Sequence, residues 1–242
     1  MAYPAAIAMH ANFGAMDLKR QGSRIHLLTA ISMYAIKEMF YTIQGEGVHT
    51  GRPAVFCRFS GCNLWSGLEK DRKSAICNFC DTDFVGTDGD GGGKFESGKA
   101  LAQKAKSLWP KASLSNPYVV CTGGEPLLQM DNQMIDAFHD LDFEIAIETN
   151  GTITPPDGID WICVSPKMGS KLILTSGDEL KLVYPQRNGD PAQFRDLQFD
   201  HFSLQPMDGP NLDQNTEKTL SYCRQHPYWN VSLQTHKFLG IP

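Results

Sequence analysis

Three cysteines in one loop constrain this chain more than any other feature. After the apolar run Val55-Phe56-Cys57-Arg58-Phe59, Ser60 and Gly61 lead to Cys62, and 14 residues later comes Cys77-Asn78-Phe79-Cys80. A Cys-x2-Cys turn points two sulfurs at one centre, and a third thiolate just upstream completes an arrangement suited to a metal centre. Adding Cys57 gives Cys57-x4-Cys62-x14-Cys77-x2-Cys80, a two-plus-two set that suits a structural zinc ion. Cys57, however, sits in a run that reads as a buried strand, where cysteine serves as a small hydrophobe. A redox dithiol at Cys77 and Cys80 would leave Cys62 and Thr82 without a role.

The loop belongs to a chain long enough for a real core. At 242 residues and 41% hydrophobic content, one α/β domain is expected. A net charge of −5 offers no general basic surface, so nucleic acid is not an expected partner. No apolar run reaches membrane-spanning length, and no membrane role is expected. Seven cysteines, an odd number with a clustered trio, point to a reducing compartment and a cytoplasmic location. Residues 1–32 carry Lys19, Arg20 and Arg24 against a lone acidic residue, Asp17, without the charge-then-apolar order of a secretory signal. Met33-Tyr34-Ala35-Ile36 looks like a natural beginning. Residues 1–32 are therefore expected to be a poorly ordered N-terminal extension, and 33–242 the domain.

Along the domain, strand-like Ile36 to Tyr41 runs into Gln44-Gly45-Glu46-Gly47. Two glycines around a carboxylate let the backbone approach a ligand while Gln44 and Glu46 project at it; a plain turn between strands fits the same residues. Gly86 to Lys94 is rich in glycine and lacks the Ser or Thr that a phosphate loop needs after its lysine, so it reads as a flexible surface connection. Ser97 can cap a helix through Trp109, and Asp131 another over Asn132 to Leu141. Tyr118 to Cys121, Glu144 to Glu148, Trp161 to Val164, Glu179 to Val183 and His201 to Gln205 read as short strands. The strands end in Gly123-Gly124-Glu125-Pro126, Glu148-Thr149-Asn150-Gly151, Ser165-Pro166-Lys167 and Gln205-Pro206-Met207-Asp208. Any one of these is an ordinary turn, but polar residues gathered at the carboxyl ends of parallel strands mark a barrel-type active-site face. The expected fold is α/β, a partial, open TIM-like barrel of about six parallel strands with crossover helices, since eight βα units take ~250 residues.

Phe56-Cys57-Arg58-Phe59-Ser60-Gly61-Cys62-Asn63-Leu64 followed by Cys77-Asn78-Phe79-Cys80-Asp81-Thr82 resembles the cluster loop of the radical S-adenosylmethionine (SAM) superfamily. The wide gap of 14 residues, in place of the usual three, resembles more narrowly the 7-carboxy-7-deazaguanine synthase family. The resemblance implies a [4Fe-4S] cluster on Cys62, Cys77 and Cys80, leaving one iron open to SAM, whose one-electron cleavage yields a 5′-deoxyadenosyl radical. It further implies that Phe79 lies by the adenine, that Gly123 and Gly124 present carbonyls to the SAM ammonium with Glu125 fixing their loop, that Glu148, Asn150, Ser165 and Lys167 contact its methionine and ribose, and that Gln205 completes the adenine site. Gln44, Gly45, Glu46, Gly47, Arg58, His236 and the terminal carboxylate of Pro242 would hold the substrate, and Thr82 a magnesium ion. Arg58, beside Phe56 and Phe59, needs an anionic partner, for which a substrate carboxylate is natural.

The implied reaction is ring contraction of 6-carboxy-5,6,7,8-tetrahydropterin to 7-carboxy-7-deazaguanine with loss of ammonia, SAM being regenerated and the product feeding deazapurine (queuosine-type) nucleosides. An external flavodoxin-like electron donor and a homodimer go with it. The tail from Gln234 to Pro242, with Phe238, Leu239 and Ile241, is expected to pack over the barrel mouth and exclude water. An activase that installs a glycyl radical on a partner protein and a non-enzymatic zinc module remain as alternatives; neither uses Gln44 to Gly47.

Overall fold

The apolar runs assemble into one nine-stranded, mostly parallel sheet in the computed structural model, which describes residues 33–242. The expected extension over residues 1–32 lies outside the described residues. The strands are β1 (Tyr34–Ile43), β2 (Pro53–Phe59), β3 (Gly93–Phe95), β4 (Tyr118–Gly123), β5 (Glu144–Thr149), β6 (Trp161–Val164), β7 (Ser176–Tyr184), β8 (Gln198–Pro206) and β9 (Asn230–Val231). Their order is β3-β1-β2-β4-β5-β6-β7-β8-β9; β1 is antiparallel to both neighbours, and every pairing from β2 to β9 is parallel.

Helix starts follow the expected caps. The Ser97 hydroxyl accepts from Ala100 N at 3.2 Å to open α1 (Gly98–Leu108), and Asp131 Oδ1 accepts from Met134 N at 3.0 Å to open α2 (Asn132–His139). Two more helices, α3 (Leu212–Gln225) and α4 (Thr235–Leu239), lie near the end of the chain. Crossover helices are fewer than expected: the connections β5 to β6 and β6 to β7 contain none, and β7 to β8 only a 3-10 turn at Pro191–Phe194. Pro155, Pro156 and Gly158 in the first of these, and Pro166 and Gly169 in the second, break any helix that would start there.

The glycine-rich stretch is also not the flexible connection its composition suggests. Gly89 N donates to Lys37 O at 2.9 Å, Met39 N donates to Asp90 O at 2.7 Å, and β3 then pairs with β1. The stretch thereby covers the outer edge of β1, which would otherwise present unpaired backbone groups.

Side-chain alternation decides where the chemistry can sit. In β2, Val55, Cys57 and Phe59 are wholly buried in the main core together with Leu101 and Ala105 of α1 and Met134 and Phe138 of α2, while Phe56 and Arg58 between them line a cavity. In β7, Leu180 and Leu182 join a second core with Val164, Phe199 and Leu204, while Lys181 and Val183 line the same cavity. Strands β1 and β7 are five places apart, ~24 Å in a flat sheet at ~4.8 Å per strand. Yet Lys181 of β7 bonds Glu46, just beyond β1, at 2.6 Å. The sheet therefore curls, and its concave face is the polar one.

Candidate active site

A cavity of about 360 Å³ opens at the carboxyl ends of the parallel strands, within the ~300–1,000 Å³ range of small-molecule sites. Cys62, Cys77, Phe79, Cys80 and Thr82 form one wall; Gly123, Gly124, Asn150, Ser165, Lys167 and Gln205 carry on along the strand ends. Gln44, Gly45, Glu46, Arg58, Glu148 and Lys181 form the floor and opposite wall, and His236 and Pro242 close over it from the tail.

The cysteine wall is held by its own backbone and by the strand beside it. Leu64 N donates to Cys62 Sγ at 3.4 Å, and burial pushes the Cys62 thiol up. The Cys77 thiol donates to Cys80, which brings Cys80 down to about 6 and holds Cys77 up; the Lys167 charge favours the thiolate form of both. The long insert between Cys62 and Cys77 contains a 3-10 turn, Glu69–Ser74, whose Arg72 donates to the carbonyls of Asn78 at 3.2 Å and Cys80 at 2.9 Å and lies 4.1 Å over the Trp65 ring. At the end of β4 a Cβ on Gly124 would lie 1.9 Å from the Gly61 carbonyl oxygen, so only glycine lets this strand end rest on the cysteine loop.

Beneath that contact Glu125 is wholly buried. It accepts from Leu127 N at 3.0 Å, the Thr149 hydroxyl at 2.8 Å and Asn150 N at 2.8 Å, stitching the β4 loop to the end of β5. Burial raises its carboxyl; those donors only partly offset this. Further along, Lys167 Nζ donates to Ser165 O at 2.6 Å and Ser165 Oγ at 2.7 Å, Asn150 Nδ2 donates to Asn63 Oδ1 at 2.9 Å, and Gln205 Oε1 accepts from the Ser232 hydroxyl at 2.9 Å.

On the opposite wall Lys181 Nζ lies 2.6 Å from Glu46 Oε2 and 3.2 Å from Glu148 Oε1. Gln44 ties the same two residues together, donating from Nε2 to Glu148 Oε1 at 3.0 Å and accepting from Glu46 N at 3.0 Å. Burial works to raise the Glu46 carboxyl, but the Lys181 charge, its hydrogen bond and a further one from Gln234 outweigh it and hold Glu46 below the usual range. Arg58 Nε donates to Glu38 Oε1 at 2.7 Å. The tail docks through polar groups: Thr235 N and Oγ1 donate to Gly45 O at 2.9 and 2.8 Å, the Thr42 hydroxyl donates to Pro242 O at 3.0 Å, and Lys237 pairs with Asp81 at 2.7 Å and Asp208 at 2.6 Å. A Cβ on Gly45 would meet His236 Nδ1 at 2.4 Å, so the ring lies directly on this glycine.

Relatives match the sequence of this chain over most of its length. The 7-carboxy-7-deazaguanine synthase of Bradyrhizobium diazoefficiens is 61% identical over 208 residues, covering 86% of this chain and 99% of that protein. The chain belongs to the 7-carboxy-7-deazaguanine synthase family. Synthases of Burkholderia multivorans and Nitratidesulfovibrio vulgaris are 57% and 52% identical with the same coverage of both proteins. The crystal structure of QueE from Escherichia coli superposes with a TM-score of 0.58 at 24% identity, over 83% of this chain and 93% of that one, a likeness of fold. No protein-family model matches the chain.

Set against what the resemblance to this family implied, most of the named residues share the one cavity. Gly47 and Glu125 do not line it. Gly47 N instead donates to the Ser232 hydroxyl at 2.9 Å, a turn contact, and Glu125 acts from below on the glycine loop. Glu148, expected to face SAM, is bound into the wall with Gln44 and Lys181. Arg58 has an anionic partner in the chain itself, Glu38. Phe238 and Leu239 are 74% and 64% exposed, so it is not they that pack the tail down. Lys181, Asp81, Gln234 and Lys237 escaped the sequence reasoning. Lys181 was nonetheless visible as a cation between Leu180 and Leu182 in a strand that also carries Asp178 and Glu179, where an unpaired ammonium would be costly.

The donor set fits the iron–sulfur cluster the superfamily uses: three thiols on one wall, a glycine backbone beside them, and Cys57 turned to the other face of β2 with its thiol hydrogen-bonded to the Cys121 sulfur. Among the described residues no three His, Cys, Asp or Glu side chains converge closely enough for a single ion.

Proposed function

We propose that the cavity binds the [4Fe-4S] cluster through Cys62, Cys77 and Cys80, SAM along Phe79, Gly123, Gly124, Asn150, Ser165, Lys167 and Gln205, and 6-carboxy-5,6,7,8-tetrahydropterin against Gln44, Glu46, Arg58, Glu148, His236 and Pro242. The observation that carries this is the opening of three thiols and a charged, hydrogen-bonded wall onto one cavity. When bound, the cluster and SAM supply the one-electron chemistry that starts the ring contraction. The chain's own groups orient the pterin. Glu46 and Glu148 accept from its N–H groups, the Arg58 guanidinium, beside Glu38, faces its carboxylate, and the tail shields the reacting atoms from water. Thr82 supplies an oxygen for magnesium, a hard cation that accepts mixed ligands. The curled sheet is a partial barrel of about six principal parallel strands, open along one side.

Seven free cysteines suit a reducing, cytoplasmic setting with an external electron donor, and the family's homodimer is carried over as part of the proposal. Among the described residues no helix is long and apolar enough to cross a membrane. Both alternatives lose ground: the tail lies across the mouth that a protein radical acceptor would need, and Cys57 faces away from the thiols that a zinc site would share.

Iron and sulfide analysis of anaerobic protein, then SAM turnover with and without the pterin, tests the proposal. Bound iron with pterin-dependent formation of the deazaguanine is the expected result. Colourless protein without sulfide would point to zinc, and SAM cleavage that leaves the pterin intact to another radical enzyme.

A further inference from the structure

The concave face of the sheet carries more negative charge than the proposed contacts explain. Glu46, Glu148 and Glu179 all point into it, with Lys181 the cation among them. Glu179 is satisfied by neutral donors, the Ser203 hydroxyl at 2.6 Å and Val48 N at 3.1 Å. Glu46 and Glu148 are not: among the described residues each has one amide donor, Gln234 at 2.9 Å and Gln44 at 3.0 Å, and beyond that only the shared ammonium of Lys181. The Lys181 side chain is 4% exposed, and those of Glu46 and Glu148 are 16% and 22% exposed. Two carboxylates gathered on one cation repel each other when it is removed.

We propose that Lys181 is a positioning residue for the pterin: its ammonium holds the Glu46 and Glu148 carboxylates side by side and keeps Glu46 ionised, so that both accept from the N–H groups on the substrate's amino-oxo edge. The inference rests on the substrate site proposed above. It assigns Lys181 a task that neither packing nor SAM contact requires, since among the described residues its Nζ bonds these carboxylates alone. Burial would lower the lysine, and the surrounding carboxylates, Glu148 and Glu46 foremost, hold it up and charged. The same cation is what keeps Glu46 below the carboxylate range in spite of its burial.

Other charged groups face the pair. Asp81 lies beyond Gln234, the Arg58–Glu38 pair stands on β2 and β1, Cys163 on β6 is buried and neutral, and His236 lies on Gly45. Of these, Cys163 feels the Lys181 charge, which favours its thiolate, so removing the lysine leaves that buried thiol more firmly neutral and adds no charge beside the pair.

The test is the pH dependence of equilibrium binding of 6-carboxytetrahydropterin to anaerobic, cluster-loaded protein with SAM present. In Lys181→Met the acid midpoint for binding should rise by about 1–3 pH units, the shift expected when an opposite charge in contact is removed. Lys181→Arg should keep the midpoint of the parent, and Lys181→Met combined with Glu148→Gln, which removes one charge of each sign, should return it most of the way. A merely structural lysine would lower iron loading or thermal stability and leave the midpoint where it was. An unmoved midpoint in a folded Lys181→Met protein overturns the inference. If Lys181→Met alone fails to load iron, the midpoint is compared in the Glu148→Gln background: a higher acid midpoint in the double variant than in Glu148→Gln alone supports the inference, and equal midpoints overturn it. Absence of pterin binding to the parent protein would instead sink the proposed substrate, a result distinct from any of these.

Discussion

Glu125 shows how one buried residue can govern a site it does not enter. Its carboxylate takes three donors from two strands' ends, so Glu125→Ala leaves Leu127 N, Asn150 N and the Thr149 hydroxyl without partners in a wholly buried place. Hydrogen bonds to a charged group contribute ~1.5–3 kcal/mol each and the orphaned donors add desolvation costs, so a loss of roughly 3 kcal/mol or more in denaturant stability is expected. A loss under about 1 kcal/mol would mean that water or a shifted loop replaces the carboxylate. Cys57 makes the converse case. Its sulfur faces the helices rather than the cavity, so Cys57→Ala should retain iron while alanine at Cys62, Cys77 or Cys80 should abolish loading, as read by iron and sulfide content. Iron loss from Cys57→Ala would revive the four-thiolate zinc arrangement.

Among the elements, the tail is the one whose role was sought in the wrong residues. Phe238 and Leu239 face solvent, and α4 is held by Thr235 on Gly45, by Thr42 on Pro242 and by Lys237 between Asp81 and Asp208. Phe238→Ala should therefore leave turnover unchanged, whereas deletion of residues 238–242 should preserve iron loading and greatly reduce product. Lys237→Ala falls between them. Each half-exposed ion pair contributes up to ~1 kcal/mol, so losing both lowers the closed population by at most about 30-fold, less at high salt. Product formation measured across a salt series would show it; a salt-independent rate equal to the parent's would mean that the latch does not limit closure. The insert between Cys62 and Cys77 is held in the same element-level way, by Arg72 on the carbonyls of the Cys-x2-Cys turn.

For the molecule as a whole, the ion pairs set an acid limit on stability. Glu46, Glu144 and Asp208 are all held below their ordinary values of 4.5, 4.5 and 3.8, Glu46 by Lys181 and Gln234 against its burial, Glu144 by the Arg52 hydrogen bond, and Asp208 by the Lys237 hydrogen bond. A carboxyl whose folded value is depressed adds stability above its unfolded value, and that contribution is lost as pH falls through the folded one. Glu125, raised by burial, acts in the opposite sense and softens the fall. Urea midpoints should be nearly flat between about pH 7 and pH 5 and drop below about pH 4.5. A midpoint that falls already near pH 6 would place the sensitive group among the histidines instead.

What the sequence determined by itself was everything carried by short spacing. The Cys-x2-Cys turn with Cys62 ahead of it, the caps at Ser97 and Asp131, and the polar or glycine residues closing each parallel strand all depend on neighbours a few positions away. Alternation within β2 likewise separates Cys57 from Arg58 before any tertiary contact is known. Composition misled where glycine stood for close approach rather than freedom, as in the stretch that pairs with β1, and where proline removed helices from later crossovers. Only the tertiary structure decided the charge partners. Glu46 and Lys181 are 135 residues apart, and Asp81 and Lys237 are 156 apart. Arg58 meets Glu38 across a β1–β2 pair whose register shifts at Ile36. The curl of the sheet brings such residues together, and curl is a property of how strands twist and pack as a set, which no local window of sequence contains.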